Sequence, residues 1–141
     1  MRGHRSGRFL ELNAKLSILS SRDMKNIALI NGIGLRPHAF RPVVAGRSAF
    51  SRALDFGRGL PGVTEVVVFL TETAELPAGF RSIVRPAWSV SDLLSEMSGA
   101  SEGHDTIFYY FGDCPFLDSA LAARMHANHV RYWADYTFAD G

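Results

Sequence analysis

Ile27-Ala28-Leu29-Ile30-Asn31-Gly32-Ile33-Gly34-Leu35-Arg36 carries the strongest fold signal in this 141-residue chain. Four consecutive apolar residues running into a glycine turn have the pattern of a strand buried on both faces, which belongs to a parallel sheet covered by helices. The two glycines let the backbone approach a ligand closely and aim several N–H groups at an anion. Arg36 adds a planar donor fork that stays charged. The turn is therefore a candidate phosphate site.

Downstream, strand and helix signals alternate. Ser48 to Arg58 places Phe50, Ala53, Leu54 and Gly57 on one side at helical spacing, and Gly59-Leu60-Pro61-Gly62 ends that helix. Val63 to Leu70 reads as a second buried strand and Ser82 to Val84 as a short third one. Ser89-Val90-Ser91-Asp92 has the spacing of a capping box, with aspartate for the usual glutamate, and opens a helix through Met97. Gly99 to Asp105 is expected to be a polar loop. Thr106 to Phe111 is rich in β-branched and aromatic residues and reads as a strand, followed by a helix over Ser119 to Tyr132.

Strands separated by helices predict a three-layer α/β domain: a mainly parallel sheet with right-handed crossovers and helices on both faces. Ligands of such sheets bind beyond the carboxyl ends of the strands. That rule selects the turn from Asn31 to Arg36 and the turn Gly112-Asp113-Cys114-Pro115. Asp113 is a hard oxygen ligand able to share Mg²⁺ with substrate phosphates; aspartate at such a place equally starts a turn or caps a following helix. Gly-x-Gly after a strand is common, and this one lacks both the third glycine of a dinucleotide fingerprint and the Gly-Lys-Ser/Thr of a P-loop. Arg36, Arg41 and Arg47, stiffened by Pro37 and Pro42, either add positive charge beside the phosphate site or form a solvated loop face.

Composition admits one globular domain, with 47% apolar residues and a net charge of +1. Residues 1–23 carry five Lys/Arg against two acids, leaving ten against twelve for the rest. The mildly acidic body argues against a broad nucleic-acid-binding face. One cysteine, Cys114, excludes an internal disulfide or a four-cysteine iron–sulfur cluster within a single copy and fits a reducing, cytoplasmic compartment. Glu11, Asn13 and Lys15 interrupt any apolar core of an export signal, and no run reaches the roughly 20 residues of a membrane span. Residues 1–23 are expected to be a basic extension, frayed or weakly helical. The folded domain is expected to occupy 24–141, with Met24 as an alternative start.

Other residues have plainer explanations. His126 and His129 are three apart on a helix but lack a third ligand of suitable spacing. Ser48 and Ser51 have no elbow motif or nearby base. Trp88, Tyr109, Tyr110, Tyr132, Trp133 and Tyr136 could stack bases, although strand and helix positions favour core or interface roles.

Taken together, Ala28 to Arg36, Arg41-Pro42-Val43-Val44-Ala45-Gly46-Arg47-Ser48 and Gly112-Asp113-Cys114-Pro115-Phe116-Leu117-Asp118 resemble motifs of the glycosyltransferase-A-like nucleotidyltransferases, most of all the cytidylyltransferase-like enzymes that activate sugars. The resemblance implies a partial nucleotide-diphospho-sugar transferase-like fold that binds a nucleoside triphosphate, CTP being one candidate, and Mg²⁺. It places Asn31, Gly32, Gly34 and Arg36 on the nucleotide, Asp113 on the metal, and catalytic roles on Arg36 and Arg41. More narrowly, Met24 to Gly141, including the closing Arg131-Tyr132-Trp133-Ala134-Asp135-Tyr136-Thr137-Phe138-Ala139-Asp140-Gly141, looks like the N-terminal region of spirochaete spiro-SPASM proteins. There a nucleotidyltransferase-like region precedes a radical S-adenosylmethionine part whose cluster-binding cysteines lie beyond it. Two departures stand out: Arg41 replaces the usual lysine, and the second metal carboxylate falls beyond the point where this chain stops. The resemblance therefore also admits a C-terminally incomplete domain, a non-catalytic docking or substrate-positioning domain for a radical enzyme, or an inert fragment.

Overall fold

The computed structural model describes residues 24–35, 37–40, 42–44, 47–114, 117–132, 134 and 136–138. Residues 1–23, Arg36 and Arg41 lie outside the described residues, as do Pro115, Trp133 and Asp140. The chain divides into two compact units, one of Lys25–Ser119 and another that takes in the chain from Ala120.

The first unit is built on β1 (Asn26–Gly32), in which Ile27, Ala28, Leu29 and Ile30 are fully buried. β1 pairs in parallel with β4 (Val63–Leu70) on one side and β6 (Thr106–Phe111) on the other, and β4 pairs in parallel with β5 (Phe80–Val84). The resulting sheet has the order β5-β4-β1-β6. A short antiparallel pairing of β2 (Pro42–Val44) with β3 (Arg47–Ser48) lies in the connection read from sequence as a stiffened loop. A 3₁₀ turn at Pro37–Phe40 precedes it.

Because side chains alternate across a strand, β1 serves two layers at once. On one face, α1 (Ala49–Arg58) buries Phe50, Ala53, Leu54 and Gly57, with Ala28, Ile30 and Val66 beneath it. Ser48 caps its N-terminus by accepting from Ser51 N at 3.0 Å. On the other face, Ile27, Leu29, Val67, Phe69 and Ala100 form a buried cluster against which Trp88, Leu93 and Met97 pack. The last two belong to α2 (Val90–Ser101). Each Val, Leu, Ile or Phe side chain taken wholly out of water contributes about 1.5–3 kcal/mol before the entropic cost of ordering it, so these two layers hold the sheet. The architecture is three-layer α/β with a parallel sheet and helices on both faces.

The capping box is present: Asp92 N donates to Ser89 Oγ and Ser89 N to the Asp92 carboxylate, both at 3.0 Å. The helix runs past the expected end at Met97 to Ser101. Ala100 extends the apolar spacing of Leu93 and Met97 and is buried, and a Cβ added at Gly99 would meet only open space. The burial, about 0.8 kcal/mol for one methyl, offsets most of the weak helix propensity of Gly99, about 1 kcal/mol.

Strand order also fixes how the chain leaves the sheet. From β1 it moves through α1 to β4 and on to β5, then returns through α2 to β6 on the opposite side of β1. The direction of winding reverses between β1 and β6. Such a reversal opens a crevice beyond the carboxyl ends of those two strands.

The second unit contains most of α3 (Ser119–Tyr132), whose end is extended by a bond from Ala134 N to His129 O at 3.1 Å. Among the described residues, no helix is long and apolar enough to cross a membrane.

Candidate functional site

Both turns selected from sequence emerge at that reversal and are bonded to each other. The register of β1 and β6 runs to Asn31 opposite Phe111, and Gly112 N donates to Asn31 O at 2.9 Å. Thus Asn31, Gly32, Gly34 and Asp113, 82 positions apart at the extremes, line one rim.

Glycine is required at Gly32 because a Cβ there would lie 2.7 Å from Leu70 Cδ2 and 2.9 Å from Phe69 O. Gly34 has φ +67°, a left-handed conformation that costs other L-residues about 1–2 kcal/mol, and open space where its Cβ would be. The turn is accordingly close-packed at its base and open at its crest. That openness leaves room for an anion near backbone donors.

Asn31 shapes this turn with its side chain. Its Oδ1 accepts from Ile33 N at 2.9 Å and its Nδ2 donates to Tyr109 Oη at 2.8 Å. The amide therefore acts from within as a turn former, and contact with a ligand falls to the surrounding backbone. Gly112 sits under the first turn of α1: its Cβ would lie 3.2 Å from Phe50 Cδ2 and 3.3 Å from Leu35 Cδ1. Cys114 N closes the second turn on Phe111 O at 3.2 Å. Asp113 is exposed at its tip.

Arg47, one of three arginines expected near the phosphates, is engaged by α1: it pairs with Asp55 and reaches Ser51 Oγ at 3.2 Å. Arg36 and Arg41, the other two, lie outside the described residues. Among the described residues, no three His, Cys, Asp or Glu side chains converge as a metal cage. Asp113, a lone exposed carboxylate, is not a preformed protein metal site.

The remaining candidates divide between core and surface. Trp88 belongs to the core, with Nε1 donating to Leu70 O at 2.9 Å and its ring edge-on to Phe69. Tyr110 donates to Ala53 O at 2.6 Å and meets Phe56 edge-on; burial holds its phenol un-ionised well beyond the ordinary range. Tyr109 instead stands exposed at the rim, as does Phe111, which the sequence reading did not single out. Alternation along Thr106–Phe111 was the available signal, but it does not reveal which face of an edge strand a helix will cover. His126 is buried, which lowers its pKa with help from His129, while His129 Nδ1 lies 2.9 Å from Thr137 Oγ1.

Comparison with known proteins yields a distant likeness. An uncharacterized protein of Treponema pallidum (strain Nichols) is 29% identical over 117 residues, an alignment that takes in 70% of this chain and 53% of that protein. The chain thus spans about half the length of the curated relative it matches. No family model matches the sequence, and no solved structure matches it.

Proposed function

We propose that this chain is a Mg²⁺-dependent nucleotide-binding domain resembling the cytidylyltransferase-like sugar nucleotidyltransferases and forming the N-terminal part of a spiro-SPASM radical S-adenosylmethionine protein. The observation that carries this reading is the bonding of the Asn31–Gly34 turn to the Gly112–Asp113 turn at the reversal of winding between β1 and β6. The backbone at the open crest around Gly34 would receive the phosphates, Ile33 N being held by Asn31 Oδ1. Arg36 and Arg41, both immediately downstream, would neutralise their charge. Mg²⁺, when bound, supplies charge neutralisation and alignment of the phosphates, with Asp113 holding it to the protein.

If the domain is catalytic, a phosphate or hydroxyl of an acceptor attacks the α-phosphorus in line and pyrophosphate leaves. That no three ligating side chains converge among the described residues favours a second reading, in which nucleotide binding persists without turnover and the domain positions a partner or substrate for a radical enzyme.

A calorimetric melt of the chain with Mg²⁺ and each of CTP, UTP, GTP and ATP tests the proposal. A nucleotide at 100 times its Kd raises stability by about 2.7 kcal/mol, and Asp113→Ala is expected to abolish that rise. A transition that ignores every nucleotide would sink it. Release of pyrophosphate on adding sugar acceptors separates the catalytic from the positioning reading.

A further inference from the structure

We infer that Tyr109 and Phe111 form a stacking wall for the base of the bound nucleotide, an inference that rests on the phosphate-site reading above. Opposite Leu29 and Asn31 in the parallel register, both aromatic side chains stand on the face of the sheet covered by α2. The α2 layer closes over Ile27, Leu29, Val67 and Phe69 and leaves this face of β6 partly open: Ile107 is 44%, Tyr109 40% and Phe111 56% exposed.

Three features distinguish the pair from scattered surface aromatics. Their rings meet edge-on, with centroids 5.8 Å apart and planes at 60°. Tyr109 is held by the Asn31 amide, the same side chain that shapes the glycine turn through Ile33 N, so the wall and the turn are aligned by one residue. Phe111 also directly precedes Gly112 and Asp113, which puts its ring one residue from the second ligand turn. Neighbouring strands lie about 4.8 Å apart, within the span of a nucleoside whose phosphates sit on the crest above β1 and β6. Every base presents a π-face, so such a wall supplies affinity and leaves the choice of base to other contacts.

Isothermal titration of the full chain with the Mg²⁺ complexes of CTP, ATP and inorganic tripolyphosphate tests this. The wild type is expected to bind either nucleotide about 5- to 160-fold more tightly than tripolyphosphate, the range that stacking on an aromatic ring covers. Phe111→Leu is expected to collapse that ratio with the tripolyphosphate affinity unchanged, and Phe111→Trp to keep or widen it. Asp113→Ala weakens all three. A ratio that survives Phe111→Leu, or a wild type that binds nucleotides and tripolyphosphate alike, overturns the stacking wall, keeps the phosphate site, and assigns this face to covering polypeptide. A wild type that binds none of the three overturns the phosphate site and the wall together.

Discussion

Replacing Gly57 by alanine exposes the contact that clamps β6 to α1. In a free helix the change would help by about 1 kcal/mol, since glycine is a poor helix former. Here the new methyl would lie 2.5 Å from the Tyr110 hydroxyl oxygen, while its 3.4 Å contacts to Ala28 Cβ and Val66 Cγ1 are at the edge of ordinary packing. Tyr110 cannot swing away without giving up its 2.6 Å bond to Ala53 O. Overpacking costs about 1–3 kcal/mol, a buried hydroxyl left without its partner about 1–3 kcal/mol more, and the helix gain offsets about 1, for a net loss centred near 3 kcal/mol. Tyr110→Phe removes the oxygen, at a cost of about 1 kcal/mol for the lost bond. In that background Gly57→Ala should change sign and stabilise by up to about 1 kcal/mol. Urea denaturation of the four proteins, followed by far-UV circular dichroism at constant slope, measures the cycle. Effects that add within about 0.5 kcal/mol would refute the clamp.

Three further outcomes follow from the same geometry. Gly32→Ala, which drives a Cβ into Leu70 and the Phe69 carbonyl, should cost about 1–3 kcal/mol in thermal denaturation; Gly34→Ala, strained but unobstructed, should cost about 1 kcal/mol. Ser89→Ala should remove one half of the α2 capping box and cost about 1 kcal/mol, with Ser89→Gly restoring most of it. Stability should also fall at both ends of a pH series. Tyr110 has a raised folded pKa, so its contribution is complete below about pH 10, the value for an unfolded tyrosine, and is lost as pH rises through the folded value. His126 has a lowered folded pKa, so its contribution is present above about pH 6.5 and is lost as pH falls through the folded value. Tyr110→Phe should flatten the alkaline limb alone, and a limb that it leaves unchanged would contradict the assignment.

Elements whose patterns are local are legible in the amino-acid order alone. Ile27 to Ile30 and Val66 to Leu70 are unbroken apolar runs, which require burial on both faces wherever they lie, and the Ser89–Asp92 box closes within four residues. The helix at Ala49–Arg58 follows from apolar spacing and the glycines after it. Where local signals competed with burial they misjudged the outcome: Gly99 reads as a helix stop, yet Ala100 beyond it completes the face that packs on the sheet. The rim was legible only as two separate turns.

The hydrogen bond between Asn31 and Gly112 emerges from the folded chain alone, because strand order is set by pairings 80 residues apart that leave no periodic trace. It also sets what each polar or aromatic side chain does: Asn31 turns inward to form the turn, Arg47 onto the helix that follows it, Tyr110 into the core and Tyr109 outward to the rim. Adjacent residues of one strand point to opposite faces. Which face a helix covers depends on the crossovers, and so on the folded chain as a whole.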